Sequence, residues 1–151
     1  KKEALDFSGD VMAGVKTGDK AFTVEEKSVG NDKVKVTKKN GKVVKIAKQR
    51  IDGDMMHVTV YFYKNEKLIF SVYKAGLKTE KKKIGNFRYF DKKGVCQSSV
   101  LQDGINGDNS VKEITDQTKD VKTRLNESKQ LMKLAKKGSL EGIAKLELLQ
   151  F

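Results

Sequence analysis

The chain has 151 residues, 37% of them hydrophobic, and a formal net charge of +12 at pH 7. That length suits one domain with a single core, and no run approaches the roughly 20 apolar residues of a membrane-spanning helix. Cys96 and His57 are each the only residue of their type, so an internal disulfide is excluded, and a Ser-His-Asp triad or a His/Cys zinc site would have no residue to spare.

Near the start, Val11, Ala13 and Val15, then Phe22 and Val24, alternate over short runs broken by Gly9, Gly14 and Gly18. This predicts one or two strands. Three similar units follow at residues 37–46 (TKKNGKVVKI), 63–72 (YKNEKLIFSV) and 90–99 (FDKKGVCQSS). Each reads as a strand, a short turn and a second strand, so the middle of the chain is a run of hairpins.

Registers follow from the need to place the apolar residues of both strands on one face. A three-residue loop, Lys39-Asn40-Gly41 with Gly41 left-handed, pairs Val36 with Val44 and Val34 with Ile46. The same loop in the second unit pairs Phe62 with Phe70 and Val60 with Val72. Tyr61, Tyr63, Ile69 and Tyr73 then share the opposite face, and Lys67 takes the left-handed position. Asp91 and Gly94 suit the first and last positions of a type I turn, and Asp52-Gly53-Asp54 reads as the link between the first two hairpins.

The loop from Asp103 to Asn109 lacks oxygen side chains at Ile105 and Gly107, so it predicts a turn rather than a calcium loop. From Ser110 the positions Val111, Ile114, Thr118, Val121, Leu125, Ser128, Met132 and Ala135 step by three and four. They predict a helix of about 27 residues, roughly 40 Å long, lying across the sheet. Ser110 and Glu113 form a capping box, and Gly138 is placed to stop the helix. Leu140, Ile143, Leu146, Leu148, Leu149 and Phe151 make the last segment too apolar for a free tail; it predicts a second helix or a helix passing into a strand.

The positive charge gathers on the hairpins, with eight cations and no carboxylate in residues 33–50. Lys33, Lys35, Lys45 and Lys48 are expected to point away from the Val34/Val36/Val44/Ile46 face. Such lysines first suggest a solvated face that protects the sheet, then an acidic partner, and last nucleic acid, since the only arginines are Arg50, Arg88 and Arg124.

His57 is expected half-exposed on the Thr59/Tyr61 side, and Cys96 as a small apolar strand residue. Ser71 to Lys74 matches S-x-x-K but lies in a strand rather than at a helix start, and the glycosylation pattern Asn126-Glu127-Ser128 falls inside the predicted helix. No residue is assigned to catalysis, a cofactor or a metal.

The units Tyr61 to Leu68 and Arg88 to Val95 resemble the aromatic hairpin repeats of small exported bacterial proteins and lipoproteins, which implies no particular activity. A chain that starts at Lys1 without Met fits removal of an export signal, so an exported location is expected. A meander followed by a long C-terminal helix is also similar in plan to the helix-grip domains that bind hydrophobic ligands, although residues 7–32 are expected to lack their early helices.

The expected fold is a single α+β domain over residues 1–151. An antiparallel β-meander of six to eight strands spans residues 7–107, and residues 108–151 form a helical segment packed on one face. The expected function is a non-enzymatic binding or structural module offering Lys35, Lys45, Tyr61, Tyr63 and Tyr73 to an acidic or protein partner. The alternatives are a domain enclosing an apolar molecule between sheet and helix, and a basic nucleic-acid-binding domain.

Overall fold

A computed structural model describes residues 1–77, 83–103, 110–114 and 118–150. Helix α1 (Lys2–Thr17) precedes strands β1 (Phe22–Val29), β2 (Asp32–Lys39), β3 (Lys42–Asp52), β4 (Met55–Lys64), β5 (Lys67–Leu77), β6 (Lys83–Phe90), β7 (Cys96–Asp103) and β8 (Ser110–Ile114). Helices α2 (Thr118–Lys136) and α3 (Leu140–Lys145) complete the order. The eight strands form one sheet in which each pairs with its chain neighbours, all antiparallel, so the α+β meander is present.

The turns of the first two hairpins are tighter than a three-residue loop. Asn40 and Gly41 both have positive φ, 52° and 81°, and Lys39 pairs directly with Lys42. Such a two-residue turn matches the twist of its strands. A bulge between Thr37 and Lys38 then adds one residue on β3, so Val36 faces Ile46 and Val34 faces Lys48. The expected Val36–Val44 and Val34–Ile46 pairs are thereby replaced. Val44 leaves for the opposite face, and Lys48 falls on the side of Val34 rather than away from it.

In the second hairpin Phe62 faces Phe70 and Val60 faces Val72 as expected. The positive φ values, however, belong to Asn65 and Glu66, not to Lys67, and a bulge between Phe62 and Tyr63 absorbs the difference. The third turn forms as expected. The Gly94 N–H donates to the Asp91 carbonyl at 3.0 Å, and Asp91 Oδ1 accepts from the backbone of Lys93 and Val95, each at 2.9 Å. A bulge between Tyr89 and Phe90 completes the set.

Both faces of the sheet are covered. Against α2 and α3 lie Val34, Val36, Val43, Ile46, Tyr61, Tyr63, Leu68 and Phe90, packed with Leu131, Met132, Ala135, Leu140, Ile143 and Ala144. Against α1 lie Val44, Phe62, Ile69, Phe70, Val72 and Tyr89, packed with Ala4 and Val11.

The predicted strand around Val11, Ala13 and Val15 is corrected to helix α1. Ala4, Phe7, Ser8 and Val11 share a helical stripe toward the sheet, and only Val11 of the alternating trio is buried. The early glycines are not breakers: a Cβ on Gly14 would lie 2.2 Å from a ring carbon of Phe22, and Gly18 is the left-handed cap that ends the helix. One early helix is therefore present where none was expected.

The long C-terminal helix is also corrected. Ser110–Ile114 is strand β8, paired with β7, and α2 has 19 residues. Pairing gives the outer backbone groups of β7 their partners, which outweighs the capping box read at Ser110 and Glu113. From Val121 to Ala135 the predicted stripe does face the sheet, with Ser128, Met132 and Ala135 buried. Gly138 has φ of 71° just beyond α2, and α3 is capped by Leu146, whose backbone is extended, with neither helix nor strand at 147–150.

Candidate ligand groove

Helix α1 is held at one end by an ion pair between Glu3 and Lys64 at 2.8 Å, beside the β4–β5 turn. At its other end Gly14 rests on Phe22 of β1. The helix therefore crosses the strands and covers Val44, Ile69 and Phe62 near the turns. Farther along, Val58, Val60 and Phe87 are only partly covered. Between this open stretch and the helix flank of Leu5, Ser8 and Met12 lies a groove of about 470 Å³.

The floor of the groove is aromatic. Phe70 stacks on Tyr89 with centroids 5.0 Å apart, on Phe62 at 5.7 Å and on Phe87 at 6.4 Å. Antiparallel pairing sets this up, since Phe62, Phe70 and Tyr89 stand side by side on neighbouring strands. Leu5 and Met12 on the wall are 45% and 57% exposed, so the apolar surface stays open to a ligand.

The rim is cationic. Lys1, Lys45 and Lys74 place their ammonium groups 5.6, 5.7 and 5.8 Å from the ring centres of Tyr89, Phe62 and Phe87. All three line the groove, and among the described residues no carboxylate does. Partial burial, and then repulsion from Lys35, holds the Lys45 amine below its ordinary pKa. An anion seated there would favour the ammonium and so oppose both effects.

The residues expected to share one binding surface do not do so. Lys45 lies in the groove. Lys35 is on the same face but outside the lining, exposed and 3.9 Å from Glu26. Tyr61, Tyr63 and Tyr73 are on the opposite face and buried, at 0%, 1% and 6% exposure. The face separation was legible, but α2 covers the tyrosine side because each hydroxyl finds a partner there or in the sheet. Tyr61 donates to Glu127, Tyr63 to the Ser128 carbonyl, and Tyr73 lies 2.7 Å from His57 Nδ1.

No family model, curated protein or solved structure matches the chain. Among the described residues no group of three His, Cys, Asp or Glu converges as a metal site, and no helix is long and apolar enough to cross a membrane.

Sequence reasoning missed Lys74, Phe87, Tyr89, Leu5 and Met12. The expected register of the second hairpin held a signal for Lys74, because pairing Val60 with Val72 also places Lys74 beside Val58, on the Phe62 face. The wall was hidden, because the α1 segment read as a strand.

Proposed function

We propose that the protein is a non-enzymatic ligand-carrying module whose α1 groove holds a long-chain carboxylate. The apolar chain lies along the stacked rings and beneath Leu5 and Met12, and the head group meets Lys45 and Lys74. The observation that carries this is the pairing of an aromatic floor with a rim of ammonium groups and no carboxylate among the described lining residues. Each methylene removed from water contributes about 0.8 kcal/mol, so the chain supplies most of the affinity and the lysines select its charge. The groove volume lies within the usual range for small-molecule sites, roughly 300–1,000 Å³. This reading follows the alternative of an apolar molecule held between sheet and helix rather than the Lys/Tyr sheet face, and takes α1 as the helix instead of the C-terminal one.

Calorimetric titration with laurate, dodecanol and a dodecyl cation tests the proposal. Laurate is expected to bind tightest, and the Lys45→Met/Lys74→Met double variant to weaken laurate by about tenfold, 1.4 kcal/mol, while leaving dodecanol unchanged. No laurate binding by the folded protein refutes the reading. Binding to anionic vesicles without binding to monomeric laurate replaces it with docking on a lipid surface.

A further inference from the structure

We propose that the cleft between α2 and the tips of the β4–β5 and β6–β7 hairpins binds a chain of phosphate groups. This site is separate from the α1 groove. It has a volume of about 540 Å³ and is lined by Lys67, Lys92, Lys93, Lys129, Lys133 and Lys136.

The only carboxylates among the described lining residues are Glu66 and Asp91, and both are engaged. Asp91 Oδ1 accepts the two backbone bonds of its own turn, and Glu66 pairs with Lys136 at 2.9 Å. Six ammonium groups against two carboxylates leave an excess of four positive charges in one trough.

The arrangement of these lysines selects the ligand class. Lys129, Lys133 and Lys136 follow one face of α2 at spacings of four and three, a row about 10 Å long. Lys67, Lys92 and Lys93 face them from the hairpin tips. Two rows flanking a trough suit a linear polyanion better than a single anion. No arginine lines the trough among the described residues, so recognition there rests on the point charges of ammonium groups, which suit a repeating anion held by charge and spacing rather than the base edges that arginine forks fit.

The basic surface also continues past the tips. A neighbouring depression of about 790 Å³ shares Lys67, Asp91, Lys92 and Lys93 and adds Lys1 and the paired Lys64 and Glu3, so five lysines against two carboxylates leave an excess of three positive charges. An extended chain can therefore run from one side of the hairpins to the other, and binding on this geometry is independent of sequence.

The test uses the full chain with inorganic polyphosphate and, separately, a labelled oligothymidylate, both titrated over a series of salt concentrations. Four neutralised phosphates predict a slope of log K against log salt of about −3 for a single strand. Lys129→Glu/Lys133→Glu is expected to lose at least tenfold in affinity, with the fold checked by circular dichroism and laurate binding retained. Lys33→Glu/Lys35→Glu carries the same charge change on β2 and is expected to leave the affinity within about twofold.

Binding of polyphosphate alone assigns the cleft to the free polymer. Binding of the oligonucleotide alone assigns it to a nucleic-acid backbone, and binding of both supports the shared phosphate chemistry. Equal loss in the two double variants, or no binding of either probe at low salt, overturns the proposal.

Discussion

Tyr61 donates a 2.5 Å hydrogen bond to Glu127 Oε2, joining the centre of β4 to the middle of α2. Arg124 donates to the same hydroxyl at 3.1 Å and lies 3.5 Å from the same carboxylate. The other carboxylate oxygen accepts the Leu149 N–H at 2.5 Å. One side chain therefore ties sheet, helix and C-terminal segment together, and burial pushes the Tyr61 hydroxyl far above its ordinary pKa so that it stays a donor.

Removing Glu127 is accordingly more damaging than removing the tyrosine hydroxyl. Tyr61→Phe takes one donor from a buried carboxylate and is expected to cost about 1–3 kcal/mol in urea unfolding. Glu127→Ala takes the carboxylate from buried Arg124 and is expected to cost about 3–5 kcal/mol. Amide exchange at Leu149 should accelerate in Glu127→Ala and stay slow in Tyr61→Phe. The same exchange rate in both variants refutes the tie between Glu127 and the tail.

At Gly14 ordinary propensity gives the wrong sign. Alanine normally favours a helix interior over glycine by about 1 kcal/mol. Here the new Cβ meets the Phe22 ring at 2.2 to 2.8 Å, and overpacking of that kind costs about 1–3 kcal/mol. Gly14→Ala is therefore expected to lower the melting temperature and, by lifting the groove wall, to weaken laurate. Adding Phe22→Ala should restore part of both losses. Additive effects in the double variant refute the contact as the cause.

The Lys45 amine gives the groove a pH dependence of definite sign. Its pKa in the folded chain lies below the unfolded value of about 10.4, because burial and then Lys35 disfavour the ammonium. That penalty is fully present at neutral pH and is relieved as pH rises through the folded pKa. Lys45→Met should thus raise stability at pH 7 and lose that advantage in alkali. Carboxylate affinity runs the other way: it needs the ammonium, so it should fall as pH rises toward 10, with proton uptake on binding. Lys1 and Lys74 line the groove with Lys45, and Lys35, paired with Glu26, lies beside it. An affinity flat from pH 7 to 10 refutes the role of Lys45.

The same residues show how much of the molecule was legible. The Val60–Val72 and Phe62–Phe70 pairs could be read because bulky apolar residues must share a face. The bulges could not, since they arise from matching a twisted two-residue turn to that face and no residue type marks them. Helix α1 was obscured because its buried stripe includes Ser8, while Val11, Ala13 and Val15 alternate by chance. Residues 110–114 satisfy a helical spacing, yet the unpaired edge of β7 claims them. In the groove, Lys45 was legible from face assignment alone, whereas its wall required knowing where α1 lies. The tyrosines were placed on the correct face, and only the path of α2 shows that this face is interior.

The β4–β5 turn offers the last test, because it holds two residues with positive φ and neither is glycine. Asn65 tolerates this conformation, but Glu66 at φ of 64° does so at a cost. The first hairpin solves the same problem with Asn40-Gly41. Glu66→Gly should raise the melting temperature by about 2–4 °C for a chain of this size. The exposed pair with Lys136 is lost in that variant, and exposed pairs contribute little. Its removal also uncovers one more ammonium group in the α2 cleft, so polyphosphate affinity should rise while laurate affinity stays fixed. A lowered melting temperature refutes the strain at Glu66, and an unchanged polyphosphate affinity places the phosphate chain away from Lys136.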